Sequence, residues 1–162
     1  MQWSKLRQRC EERIAPEVSG RIRLHLTVLR ATHDQQQRGV IYVDNVVWLN
    51  ACTFHHEERC WSLQQTGKSQ AEARRIAHSE GLVAGWEFGR SLSEYLNLDV
   101  EESLQSDNPV HRIMGVLDRR LGERRFNAVH QALEDDPLAG KFLEFRMQVR
   151  GVNLPVPNHN RA

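Results

Sequence analysis

The sequence predicts an α+β fold: an N-terminal helix, a small antiparallel sheet of three to four strands, then a C-terminal array of about five helices. Two observations carry this. Residues 21–30, RIRLHLTVLR, alternate apolar and polar positions, the period of a strand with one wet face. From residue 68 onward the apolar spacing changes to three and four, the period of helices. Strands and helices therefore occupy separate blocks, as in a sheet covered on one face by helices.

Each element has its own signal. Trp3, Leu6, Cys10 and Ile14 form one helical stripe that Pro16 and Gly20 end. After the 21–30 strand and a polar loop, GVIYVDNVVWLNACTF holds two β-rich runs around Asp44-Asn45. Both residues tolerate positive φ, so a two-residue hairpin turn joins strands at about 39–44 and 46–54. A fourth strand is a candidate near 58–63. Residues 69–84 then read as a helix ended or kinked by Gly81 and Gly85, and Phe88, Leu92, Tyr95 and Leu96 as the face of the next.

Asp99 and Glu102 make a capping box for a short helix through Gln105, and the SDNP stretch supplies a cap and Pro109 at a first helical position. Phe126, Val129 and Leu133 form another stripe. The DDPL stretch repeats the cap-and-proline device before Leu138, Phe142, Phe145 and Val149. At 162 residues, 40% of them hydrophobic, a single domain over 1–150 is expected. Residues 1–67 supply the helix and sheet, 68–150 the helical part, and 151–162 a flexible tail.

The net charge of +1 excludes a polyelectrolyte partner for the chain as a whole. Of the 22 basic residues only Lys5, Lys68 and Lys141 are lysines. The charged, amphipathic start and the short apolar runs predict a cytoplasmic protein without a membrane span, and three cysteines are a poor disulfide framework.

Five arginines crowd SDNPVHRIMGVLDRRLGERRF, residues 106–126. On a helix over 109–122, Val110, Ile113, Met114, Leu117 and Leu121 share the core face, within about 100°. Arg112 and Arg119 share an exposed strip, and Arg120 lies at the edge of the apolar stripe. Gly122 ends the helix, and Arg124 and Arg125 open the next element. A solvated face with internal ion pairs explains this stretch better than a nucleic-acid reader does. His111, Gly115, Asp118 and Gly122 fall on a separate strip, where two glycines permit a second backbone to approach, as in a central helix.

Candidate chemistry is sparse. Cys52, His55, His56 and Cys60 are zinc-compatible, but the spacing lacks a second paired half, so the cluster is a weak candidate and no metal or other cofactor is expected. His33-Asp34 and His111 with Asp118 are histidine–carboxylate couples with no recognisable nucleophile beside them, so no catalytic residue is assigned. Arg21, Arg23 and His25 line the outer strand face without the stacking aromatics of an RNA platform.

The stretches WSKLRQR at 3–9, GRIRLHL at 20–26, EYLNLDVEESLQSDNPVHRIMGVLDRRLGERR at 94–125, and the DDPL…EFR segment ending at Arg146 carry a likeness over most of the chain. With them the chain resembles an uncharacterised family of short bacterial proteins. The resemblance implies a bacterial cytoplasmic protein and brings no activity, cofactor or catalytic residue; Cys52–Cys60 lie outside its pattern.

The reading that follows is a non-enzymatic protein that binds another protein, in the manner of an immunity protein or antitoxin. An exposed acidic or mixed-charge patch around Glu57-Glu58 or Glu101-Glu102 would favour it. One alternative is a nucleic-acid-binding regulator using Arg21 and Arg23, or Arg112, Arg119, Arg124 and Arg125. The other is an enzyme of unrecognised type. The oligomeric state is open, as is whether Trp48, Trp61 and Trp86 belong to core or interface.

Overall fold

A computed structural model describes residues 2–28 and 37–154. The fold is α+β, with an N-terminal helix, a four-stranded sheet and a series of C-terminal helices. Strands β1 (Ile22–Val28), β2 (Gln37–Val43) and β3 (Val46–Cys52) are consecutive and antiparallel. The β2–β3 turn is the expected one, with Asp44 at φ 50° and Asn45 at φ 66°. The alternation read in β1 holds in its first half, where Ile22 and Leu24 are buried while Arg23 and His25 face outward; beyond it Leu26 is half-buried and Val28 is exposed.

The fourth strand departs from expectation. Residues 58–63 lie within helix α3 (Thr53–Gln65), and β4 is instead Leu82–Val83, pairing parallel to β3. The sheet is therefore mixed. Two residues are too few to show a period, and β4 exists because a crossover returns the chain beside β3. That crossover is α3 followed by α4 (Gln70–Ser79). Ser69 and Glu72 cap α4 reciprocally, and Gly81, at φ 82°, turns the chain out of it.

Helix α5 (Gly85–Tyr95) covers the sheet through Phe88, Leu92 and Tyr95, all fully buried. A Cβ at Gly39 of β2 would fall inside the Phe88 ring, so this approach requires glycine. Next come α6 (Val100–Gln105), with the expected Asp99–Glu102 capping box, and α7 (Pro109–Leu117), capped by Asn108. Helix α7 packs on α5, on α6 and on α9 (Pro137–Arg150), and all its residues but Arg112 are buried. A Cβ on Gly115 would meet Ser103 and Leu104 of α6 at 3.1–3.2 Å, the close approach the glycine strip predicts; Gly122 has open space.

The chain between α1 (Trp3–Glu11) and the short helix α2 (Pro16–Ser19) is not helical, contrary to the 3–14 stripe. Ile14 stays in the core but bridges to Asp118. Ala15 N–H donates to the Leu117 carbonyl and Arg119 N–H to the Arg13 carbonyl, each at 2.8 Å. These strand-like bonds end α7 at Leu117, five residues before Gly122. Arg119, Arg120 and Leu121 thus leave the helix, and the shared strip of Arg112 and Arg119 does not form.

The abandoned carbonyls find a partner in Arg146 of α9, which is 3% exposed. Its guanidinium donates to the carbonyls of Val116, Asp118 and Leu121 at 2.8–2.9 Å and to Glu17 at 2.9 Å, and it lies over the Phe126 ring of α8 (Phe126–Ala132). The Asp118 side chain is fully buried and accepts from Tyr95 Oη at 2.6 Å and from Arg120. Burial alone would raise its pKa, but the bonds from Arg120 and Tyr95 outweigh that and hold the carboxyl below its usual range.

Arg146→Ala strips three buried carbonyls of their donor and leaves Glu17 with only Arg150, 4.0 Å away. The expected loss is about 3–5 kcal/mol in urea unfolding, against less than about 0.5 kcal/mol for Arg119→Ala or Arg124→Ala on the surface. Equal losses at all three positions would contradict this account.

Candidate functional site

The β3–α3–α4–β4 crossover carries the features that the core does not use. Helix α3 follows β3 without a loop, and only His56 and Leu63 of its residues are buried. On its outer side Phe54 and Trp61 are seven residues apart, hence aligned, with Glu57 and Glu58 between them. Phe54 is 62% and Trp61 65% exposed, and both glutamates are exposed as well. The Gly85 N–H donates to Thr53 Oγ1 at 3.0 Å, so the first turns of α5 and α3 are tied together. That bond brings Trp86, 52% exposed, beside α3, and with Trp61 it lines a hollow of about 250 Å³. Trp48 differs: half-buried, it packs edge-on to Phe142 and Phe145.

Behind the aromatic face, the rings of His56 (α3) and His78 (α4) stack with centroids 5.5 Å apart. Cys60 Sγ lies 3.7 Å from His56 Nε2. Burial first, then Arg74, pushes the His56 imidazole down, while burial raises the Cys60 thiol. Both shifts oppose a thiolate–imidazolium couple, the state an activated cysteine needs. The four-residue metal candidate is split: His56 meets Cys60, but His55 is exposed with its Nδ1 3.3 Å from the Asn50 amide. Among the described residues no three His, Cys, Asp or Glu side chains converge to hold a metal.

On the far side of α4 a cleft of about 900 Å³ opens. Gln70, Arg74, Arg75 and His78 form one wall, and Ser106, Asp107 and Arg112 face them. Leu133, Asp135 and Asp136 close its end. Gln70 and Arg74 line both this cleft and the tryptophan hollow. His78 Nε2 is buried with no hydrogen-bond partner.

The six arginines singled out from sequence do not form one surface. Arg21 is paired with Asp44 and lies over Phe145; Arg23 lies over the Tyr42 ring. Arg112 binds Asp136 and the Ser106 carbonyl, and Arg125 binds Glu101. Among the described residues only Arg119 and Arg124 of the six have no side-chain hydrogen bond, ion pair or ring contact. His111 and Asp118 do not meet as a couple. His111 Nδ1 is 2.9 Å from Ser106 Oγ and Nε2 is 3.0 Å from the Ser91 carbonyl, whereas Asp118 serves Tyr95 and Arg120. His33 and Asp34 lie outside the described residues, as does the tail from 155 onward.

Arg74 and His78 went unremarked in the sequence. Their only signal was an i, i+4 spacing beside Ala73 and Ala77, a small-residue stripe that lets α3 and α4 pack closely. No local pattern marks Arg146, whose partners are far away in sequence.

Burial, then His56 and Arg74, push the His78 imidazole down to about 4 from an ordinary 6.5. Between those values the unfolded chain binds the extra proton, so stability falls as pH drops from about 6.5 and levels near about 4. His78→Gln should remove a loss on the order of 3 kcal/mol over that window. Urea unfolding at pH 7, 5.5 and 4.5 reads it, and an unchanged slope in the variant would rule this histidine out.

Among the described residues no helix is long and apolar enough to cross a membrane. No curated protein and no solved structure matches the chain. The model of the SF0329 protein family matches residues 2–147, which takes in the sheet, the crossover, the cleft and the Arg146 corner. By that match over most of its length, the chain belongs to the SF0329 protein family, an uncharacterised family.

Proposed function

We propose that the protein acts by binding another protein, through the face that α3 and the start of α5 present. The observation that carries this is the exposure of Phe54, Trp61 and Trp86 by 52–65% on neighbouring turns. The aromatic surface left in water adds nothing to folding, and large aromatics are the residue types that dominate binding energy when a partner covers them. Glu57 and Glu58 set among them favour a partner whose apolar recess is rimmed by basic groups. Immunity proteins and antitoxins are one form of such a binder, marked by a one-to-one complex without turnover.

The arginine surfaces are weaker grounds for a nucleic-acid partner. Carboxylates already hold Arg21, Arg112, Arg120 and Arg125, and Arg23 rests on Tyr42. The shifts at Cys60 and His56 likewise give little support to an enzyme that works through a cysteine nucleophile.

The test compares the wild-type chain with Trp61→Ala and Trp86→Ala as tagged baits in host lysate, eluted at low and at high salt. The expected result is one protein retained at high salt by the wild type. Each substitution should weaken that complex by roughly 30-fold, about 2 kcal/mol, while urea midpoints stay put. A protein retained equally by the variants would move the interface elsewhere. Nucleic acid released as salt rises would overturn the reading.

A further inference from the structure

We propose that the cleft between α4 and the α6–α7 and α8–α9 connections binds a small zwitterion, an amino acid or short peptide. Its carboxylate would lie on the α4 wall and its ammonium on the aspartate wall. Three observations meet there. The cleft, about 900 Å³, is in the size range of small-molecule sites, about 300–1,000 Å³. On the α4 wall neither Arg74 nor Arg75 has an ion pair or side-chain hydrogen bond among the described residues. Beside them His78 Nε2 has been removed from water by folding without gaining a partner.

The opposite side supplies the complement. Asp107 and Asp135 are exposed in the cleft and, among the described residues, unpaired. Arg112 and Asp136 neutralise each other and are not available in the same way. Among the described residues the free charges are therefore two positive on the α4 wall and two negative on the facing wall and the end of the cleft, and no ion pair closes across the space between them.

That segregation selects the ligand class. A phosphate or nucleotide drawn to Arg74 and Arg75 would also meet two uncompensated carboxylates. A simple amine drawn to Asp107 and Asp135 would meet two guanidinium groups. A molecule with opposite charges at its two ends satisfies both walls, its carboxylate accepting from the arginine N–H groups. Because Arg74 also borders the hollow of Trp61 and Trp86, occupancy should change tryptophan emission. The site does not depend on the protein-binding reading, which rests on the exposed aromatics of α3 and α5.

Calorimetric titration of the full chain with each free amino acid and with triglycine tests this, alongside inorganic phosphate. One or more zwitterions should bind. N-acetylation and amidation of that ligand, each removing one charge, should weaken it by roughly tenfold or more. Arg74→Gln and Asp135→Asn should do the same with folding unchanged by circular dichroism, whereas Arg119→Gln, outside the cleft, should not. Phosphate binding to the wild-type chain more tightly than any zwitterion would overturn the proposal in favour of an anion site. Failure of every zwitterion at about 10 mM would overturn it outright.

Discussion

The Arg146 guanidinium, buried beneath the corner where α7 ends, is the contact around which the protein is organised. A helix that stops inside a core leaves carbonyls that water cannot reach. Here those of Val116, Asp118 and Leu121 receive N–H donors from one planar group, whose charge Glu17 offsets. Arginine suits the task because its donors point several ways in one plane, which a lysine ammonium cannot reproduce. The same corner buries Asp118 under Tyr95 and Arg120, so neither buried ion lacks compensation. Taking away one partner exposes the desolvation cost of the other.

The corner also joins chain segments from both ends. Arg13 donates to the carbonyls of Tyr95 and Leu96 at the close of α5, while Ala15 and Arg119 exchange strand-like bonds with Leu117 and Arg13. Residues 13–17, 95–98, 116–121 and 146 thus form one polar knot that runs from the apolar core to the surface. This gives the 94–125 block, the longest part of the family resemblance, a structural role. Its LDRR stretch is a helix terminator: Asp118 and Arg120 fold onto each other, and Arg119 is left exposed.

The crossover is under different constraints. Helix α3 buries two residues and is held by its junction with β3, by α4 and by the Thr53–Gly85 bond. Its outer face is therefore less constrained by core packing than those of α5 and α7. Its outer aromatics can serve recognition because packing does not require them, and α4 carries unpaired arginines for the same reason. A rigid sheet and an arginine-pinned helical core position this sparsely buried hairpin, the usual division between scaffold and binding surface.

What could be read from sequence was what neighbouring residues decide. The α+β class, the Asp44-Asn45 turn, the Asp99–Glu102 capping box and the first half of the β1 alternation each depend on a few adjacent positions and took the expected form. Glu57-Glu58 stood out as a candidate patch, but not the tryptophans near it, since a lone Trp reads equally as core or surface. Tertiary structure alone decided the parallel β4, the early end of α7, the separation of His111 from Asp118 and the two-walled cleft. Each of these turns on groups tens of residues apart, where the partner that satisfies a carbonyl or covers a ring is chosen by packing and leaves no local period to read.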